Sequence, residues 1–457
     1  MSDARAIRPP RARPGTGVTV AVGLAIATLL LAIYVLSNPE RGSYYNHFVW
    51  QAEAFLDGRA AIRYPAFDGP DGRGNDLFQD VLPTIGPHGE PSGYALLPFP
   101  PLPAVVLMPF VAIWGLATDA QLVAAILGAL DVAIAYWVLG RLPIGREIRI
   151  ASTIFLGLGT VLWYAAELGT TWYLAHVVAV GLTLLAIGVA LSADPVAAAG
   201  DPDPETPPRR WVALDRGQVL AGFLLGLACT ARLTIVFGLP FFLFVGGGGD
   251  RLRRGMSALV GMAIPIGLLL AYTYVTTGHL LNPGYEILYR VETAFYPQLG
   301  YRADWAIEDP RYLLQNLPLL LAGPPTVLPA CGSGAVRALF DPACPLVVPR
   351  EVGMGLLLTS PAWLAAFASL RWWGRDRLVT GAAIAVGAIA VVDLMHFSQG
   401  WVQFGYRFSN DYAPFGLILL ALALDAGRRL RWLGYVLIAV SIAIVGWGIV
   451  WGHLLGW

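Results

Sequence analysis

Lysine is absent. All thirty basic residues of this 457-residue chain are arginine, which excludes Schiff-base chemistry and a lysine general base. Cysteine is scarce at three residues, enough for one disulfide at most. Charge is scarce as well, at 13% of the chain, whereas an ordinary soluble domain carries about 25%. So few charges cannot cover a water-facing surface of this size. Net charge is zero, so nothing biases the chain toward acidic or basic partners, and nucleic acid is not among those expected. There is no phosphate-binding glycine loop, dinucleotide fingerprint, nucleophile elbow or HExxH pattern. Without an internal repeat, an inverted-repeat transporter has little support either.

What is present is apolar sequence, 56% of the chain, in runs long enough to cross a bilayer. The fold class expected is an all-α integral membrane protein. Residues 1–16, with Arg5, Arg8, Arg11 and Arg13 among prolines, read as a disordered basic cytoplasmic tail. Residues 18–36 read as an uncleaved signal anchor. Further spans are expected near 119–140, 150–168, 171–192, 217–230, 233–247, 255–278, 352–370, 378–397, 412–427 and 433–455. The stretch 96–110 carries Pro98, Pro100, Pro101, Pro103 and Pro109, and proline kinks helices. Residues 95–117 are therefore expected to be bent and partly re-entrant. The count is eleven crossings, with twelve as the alternative.

Arginine placement gives the orientation. The tail and the short connections at 141–149, 209–216, 251–254, 371–377 and 428–431 hold nineteen of the thirty. The positive-inside rule puts these in the cytoplasm, and the longer stretches 38–94, 279–351 and 398–411 outside. The organisation expected is the tail, a transmembrane module over 17–278 with first outer loop 38–94, a large outer loop 279–351, and C-terminal helices over 352–457. The setting is a bacterial cytoplasmic membrane with the N-terminus inside.

Candidates for chemistry lie on the outer side. The first loop opens with an amphipathic helix, either lying on the membrane surface or packing to close the bundle. Glu53, Asp76 and Asp80 are its candidate general bases, since that role needs a carboxylate near an acceptor hydroxyl. Arg232 sits at the turn between two short apolar halves, where a charge needs water or an anion. Arg407 lies among aromatics before a late helix, and an arginine fork suits phosphate. Glu167, His176, Tyr406 and Asp411 are expected to line a substrate cavity. Asp393 and His396 are one turn apart, either a structural pair or two ligands of one metal. No cofactor is demanded, though the chemistry allows a divalent metal. Cys331 and Cys344, in an outer loop that glycine and proline fold back, are expected to form a disulfide.

Five local patterns carry a resemblance. They are the helical segment 44–58 after the first span, Phe99-Pro-Pro-Leu-Pro103, Arg232-Leu-Thr234, Leu358-Thr-Ser-Pro361 and Gly405-Tyr-Arg-Phe408. Together with the architecture, the chain resembles the C-type glycosyltransferase superfamily, multi-pass enzymes that use polyprenyl-phosphate sugars. The resemblance implies an acidic base in the first outer loop and cations near the outer surface holding the lipid phosphate, here Arg232 and Arg407. Where many relatives carry an Asp after the first helix, this chain has Tyr44-Tyr45. Either the base has moved to Glu53, Asp76 or Asp80, or catalysis is lost. The function expected is inverting transfer of a sugar from a polyprenyl-phosphate donor to a glycan, lipid or protein acceptor at the outer face. The alternative is a non-enzymatic lipid or solute carrier with a phosphate-binding cavity.

Overall fold

Four helices begin at an aspartate whose side chain accepts a backbone N–H of the first turn. These are α4 (Ala120–Leu139, capped by Asp119), α8 (Arg216–Cys229, Asp215), α9 (Arg251–Thr277, Asp250) and α12 (Arg377–Met395, Asp376). In the last three an arginine follows the cap directly. The aspartate satisfies the orphan donors and the arginine holds that end in headgroup water. The computed structural model describes residues 16–41, 45–67, 69, 72, 74–194, 214–295, 302, 304–327 and 338–457. Tyr44, Asp68, Asp71, Cys331 and residues 1–15 of the basic tail lie outside them.

The remaining helices are α1 (Thr16–Ser37), α2 (His47–Leu56), α3 (Leu102–Trp114), α5 (Arg146–Leu158), α6 (Leu162–Leu168), α7 (Thr171–Ala193), α10 (Gly284–Phe295), α11 (Tyr312–Ala322), α13 (Ser409–Asp425) and α14 (Arg428–Leu455). Six are long and apolar enough to cross a membrane alone, namely α1, α4, α7, α9, α12 and α14. The pair α5–α6, bent by 49°, makes a seventh. The other expected crossings are shorter or broken. Helix α8 has 14 residues and α13 has 17. The segments near 233–244 and 356–372 are single turns and 3₁₀ pieces. Irregular backbone is tolerated at membrane depth where protein covers it, so helix length does not establish a count of eleven.

Close glycine contacts fix the directions. A Cβ on Gly169, Gly181 or Gly188 of the α7 segment would strike Gln121, Asp131 or Trp137 respectively, so α4 and α7 run parallel. Gly222 and Gly226 meet Ala258 and Met262, so α8 and α9 are parallel too, and the 230–250 segment must return between them. Small residues let such helices approach closely. Every residue of α13 except its last is buried, which places this helix at the centre of the bundle.

The arginine clusters share one end. Arg377 pairs with Asp194 after α7, Arg254 donates to the carbonyls of Leu243 and Phe244, and Arg431 meets Glu147 at 3.2 Å. The opposite, distal end carries the loops. There α2 buries His47, Phe48, Val49, Trp50, Gln51, Ala52 and Ala54, so it is a packing element rather than a helix lying on the surface. It sits beside α3 and an antiparallel sheet of order β1-β3-β2, with β1 Ile62–Arg63, β2 Leu82–Ile85 and β3 Pro91–Leu96. Helix α3 has 13 residues, about 20 Å at 1.5 Å per residue, too short to span.

Labelling of single-cysteine variants from either side of the membrane tests this arrangement. Cysteines at Arg253 and Arg375 should react only after permeabilisation, and those at Leu77 and Arg311 from outside. Reaction of the 253 and 311 positions from the same side would contradict it. Cys344 is disulfide-bonded and Cys229 is a free buried thiol, so Cys344 should resist alkylation until reductant is added.

Candidate functional site

The distal loops meet on the first turns of α7. Gly169, at φ +54°, turns the chain from α6 into that helix. The Thr171 amide donates to the Tyr45 carbonyl at 3.0 Å, and its Oγ1 accepts the His47 amide at 3.0 Å. His47 Nε2 lies 2.7 Å from the Gln79 carbonyl, an acceptor only, and Nδ1 lies 2.9 Å from Thr171 Oγ1. Burial pulls the His47 imidazole down to about 4, so it is neutral, with the proton on Nε2. Phe78 stacks on it at 4.0 Å, and Phe99 and Trp172 stand edge-on.

This clamp places Asp80 against α7. Its backbone sits at φ +54°, a strained conformation for a non-glycine residue, and Oδ2 accepts the indole N–H of Trp172 at 2.8 Å. One turn further along, His176 Nδ1 is 2.7 Å from Asp411 Oδ1. Asp411 also accepts Arg232 Nη2 at 2.8 Å and Nε at 3.1 Å, and the Thr234 hydroxyl at 2.7 Å, all on Oδ2. His176 and Asp411 are wholly buried as side chains, while Arg232 keeps 21% exposure. A carboxylate with this many donors is a satisfied buried charge. Arg232 also faces the Phe408 ring at 5.0 Å. Arg407 lies 5.7 Å from the Tyr173 ring and 5.4 Å from that of Phe408. It forms no ion pair among the described residues, and its Nε is buried without a hydrogen bond.

The expected bases are thus separated. Asp80 lies at the convergence. Glu53 pairs with Arg63 at 3.6 Å, away from α7. Asp76 lies in the turn where its backbone carbonyl accepts the Tyr64 hydroxyl at 3.3 Å. Arg232 does have an anion, but an internal one, because the nearest carboxylate in this low-dielectric setting is Asp411. Of the residues expected to line a substrate cavity, Glu167, His176, Tyr406 and Asp411 are all buried. Glu167 meets His453 of α14 at 3.1 Å. Asp393 is buried, with Thr234 and Arg232 as neighbours, whereas His396 turns to Glu308 at 3.2 Å. They therefore do not share one ion. Among the described residues no three His, Cys, Asp or Glu side chains group as metal ligands. Trp172, Thr234 and the His47 clamp were missed by sequence reasoning. Their only sequence signals are a belt-type aromatic and a threonine two residues after an arginine.

No protein-family model matches the chain, and no curated protein does. Among solved structures it is similar to ArnT from Cupriavidus metallidurans bound to undecaprenyl phosphate. That match has a TM-score of 0.52 and 14% identity, over 96% of this chain and 78% of the other. The apo state of the same protein gives a TM-score of 0.47 and 15% identity, over 92% and 62%. This chain shares the overall fold of the lipid-bound structure. Within that multi-pass membrane fold, the Asp411 cluster lies beneath the distal loops and holds α7, α13 and the Arg232 turn together.

Breaking a buried ion pair by removing one partner costs about 3–5 kcal/mol. Asp411→Asn should therefore lower the thermal unfolding midpoint in detergent clearly, and Arg232→Leu nearly as much. The double variant should lose less than the sum. Additive losses would show that the two side chains do not act as a pair.

Proposed function

We propose that the chain is a membrane glycosyltransferase that moves a sugar from a polyprenyl-phosphate donor to an acceptor hydroxyl at the outer face of a bacterial cytoplasmic membrane, with inversion. The observation that carries this reading is Arg407, a half-buried guanidinium at the distal end with no carboxylate partner among the described residues and an unbonded Nε. It sits beside the α7 turn that also holds Asp80. A cation and a carboxylate converging on one rigid helix end are what phosphate departure and proton removal require. The solved ArnT complex contains undecaprenyl phosphate, and a lipid of that class suits the surface here. An apolar cleft of about 500 Å³ is lined by Phe55, Pro101, Leu102, Leu227, Leu268 and Tyr272, and also by Thr230, two residues before Arg232. The polyprenyl tail would lie in it.

In this reading Asp80 takes the proton of the acceptor hydroxyl as its oxygen attacks the anomeric carbon. The bond from that carbon to the phosphate oxygen breaks, and the lipid phosphate leaves with one more negative charge. Arg407 faces that developing charge, while the exposed edge of Arg232, already half-neutralised by Asp411, contributes less. Trp172 orients the Asp80 carboxylate by donating its indole N–H to Oδ2. The acceptor is a glycan, lipid or protein hydroxyl, and no step requires a metal.

Purified protein supplied with radiolabelled polyprenyl-phosphate sugar and candidate acceptors tests the reading. Asp80→Asn should lose transfer by about a hundredfold to ten-thousandfold, the range of a general base, and keep lipid binding. Arg407→Gln should weaken both. If the wild type binds lipid and transfers no label to any acceptor, the protein is a carrier.

A further inference from the structure

A second cleft of about 410 Å³ opens at the distal end, between α11, Gly323-Pro324, the 350–352 turn and the 397–400 turn. Its size falls within that of small-molecule sites, about 300–1,000 Å³, and its lining differs from that of the apolar groove. Asn316 is only 3% exposed. Its Nδ2 donates to the carbonyls of Leu394 at 3.0 Å and His396 at 2.9 Å, which fixes the amide and leaves Oδ1 without a partner among the described residues. Gln399 repeats the arrangement. Nε2 donates to the Asp393 and His396 carbonyls, while Oε1 is buried with no hydrogen bond. Ser398 Oγ accepts the Gly400 amide at 3.1 Å and keeps its proton to donate. Arg350 is exposed on the rim and forms no ion pair among the described residues. Phe397 supplies an apolar wall.

Two pinned amides with spare acceptors, a hydroxyl, an exposed Gln315 and a free guanidinium call for a ligand rich in hydroxyl donors that carries one anionic group. We propose that this cleft binds an anionic carbohydrate, a sugar bearing phosphate or carboxylate, and that it is the acceptor subsite of the transfer. Binding stands on the cleft alone; the acceptor role rests on the transferase reading. Gln403 Nε2 donates to both the Gln399 carbonyl at 2.6 Å and the Val352 carbonyl at 3.2 Å. That ties the cleft wall to the loop carrying Arg407.

Calorimetry on the full-length protein in zwitterionic nanodiscs, with glucose 6-phosphate, glucuronate, glucose and inorganic phosphate as probes, decides it. The two anionic sugars should bind about tenfold or more tighter than glucose, the scale of one charge-assisted hydrogen bond. Inorganic phosphate should not bind detectably. Arg350→Gln should erase the anionic preference, and Gln315→Ala should weaken every sugar. Both side chains are exposed, so both variants should fold. No sugar binding, phosphate binding as tightly as the phosphosugar, or an unchanged R350Q would overturn the site. Loss of probe binding in phosphatidylglycerol nanodiscs would reassign it to a lipid headgroup and overturn it equally. In transfer assays R350Q should raise the acceptor KM with kcat retained. An active enzyme whose acceptor KM is unchanged refutes the acceptor role. Sugar binding without any transfer refutes the transferase reading and leaves the binding site standing.

Discussion

The Asp411 carboxylate, clasped by Arg232, Thr234 and His176, is the interaction on which the distal architecture depends. It ties α13, α7 and the break after α8, three parts of the chain far apart in sequence. In a low-dielectric interior such a charge is costly unless its donors are in place. The 230–250 segment therefore cannot relax into a continuous helix without stranding both Arg232 and Asp411. The broken backbone there is held open by an ion pair, and the cation this exposes lies beside the proposed phosphate position.

The same helix, α7, carries the site's second support. Thr171, Trp172 and Tyr173 contact the first loop and the last loop within one turn, and His176 reaches Asp411 in the next. A helix buried almost throughout cannot shift to accommodate its neighbours, so it serves as the reference on which the first and last loops are registered. Asp80 gains a fixed orientation from this at the cost of a left-handed backbone, the kind of local strain that surrounding structure must impose.

Much of the membrane architecture was legible because it obeys local rules. The helices α1, α4, α7, α9, α12 and α14 follow from unbroken apolar runs, and the Asp-Arg starts of α8, α9 and α12 mark one end of the bundle. The proline-rich 95–110 stretch correctly warned against a straight span. What escaped was set by partners far away in sequence. Asp411 is 179 residues from Arg232, and no spacing rule connects them, so Arg232 read as awaiting an external anion. The small sheet is made of strands of two to six residues, too short for a period-two pattern to declare itself. Glu53, Asp76 and Asp80 looked alike in sequence. Only the Trp172 bond and the Arg63 pairing separate them.

The central claim is that the lipid phosphate of the donor is received at the α7 end, between Arg407 and Asp80. A high-resolution cryo-EM structure of the full-length protein in nanodiscs with bound polyprenyl phosphate tests it most directly. The account predicts phosphate density within hydrogen-bonding distance of the Arg407 guanidinium, with the tail entering the Phe55–Tyr272 cleft and the Arg232–Asp411 pair intact. Phosphate density elsewhere, with Arg407 turned away from it, would contradict the account.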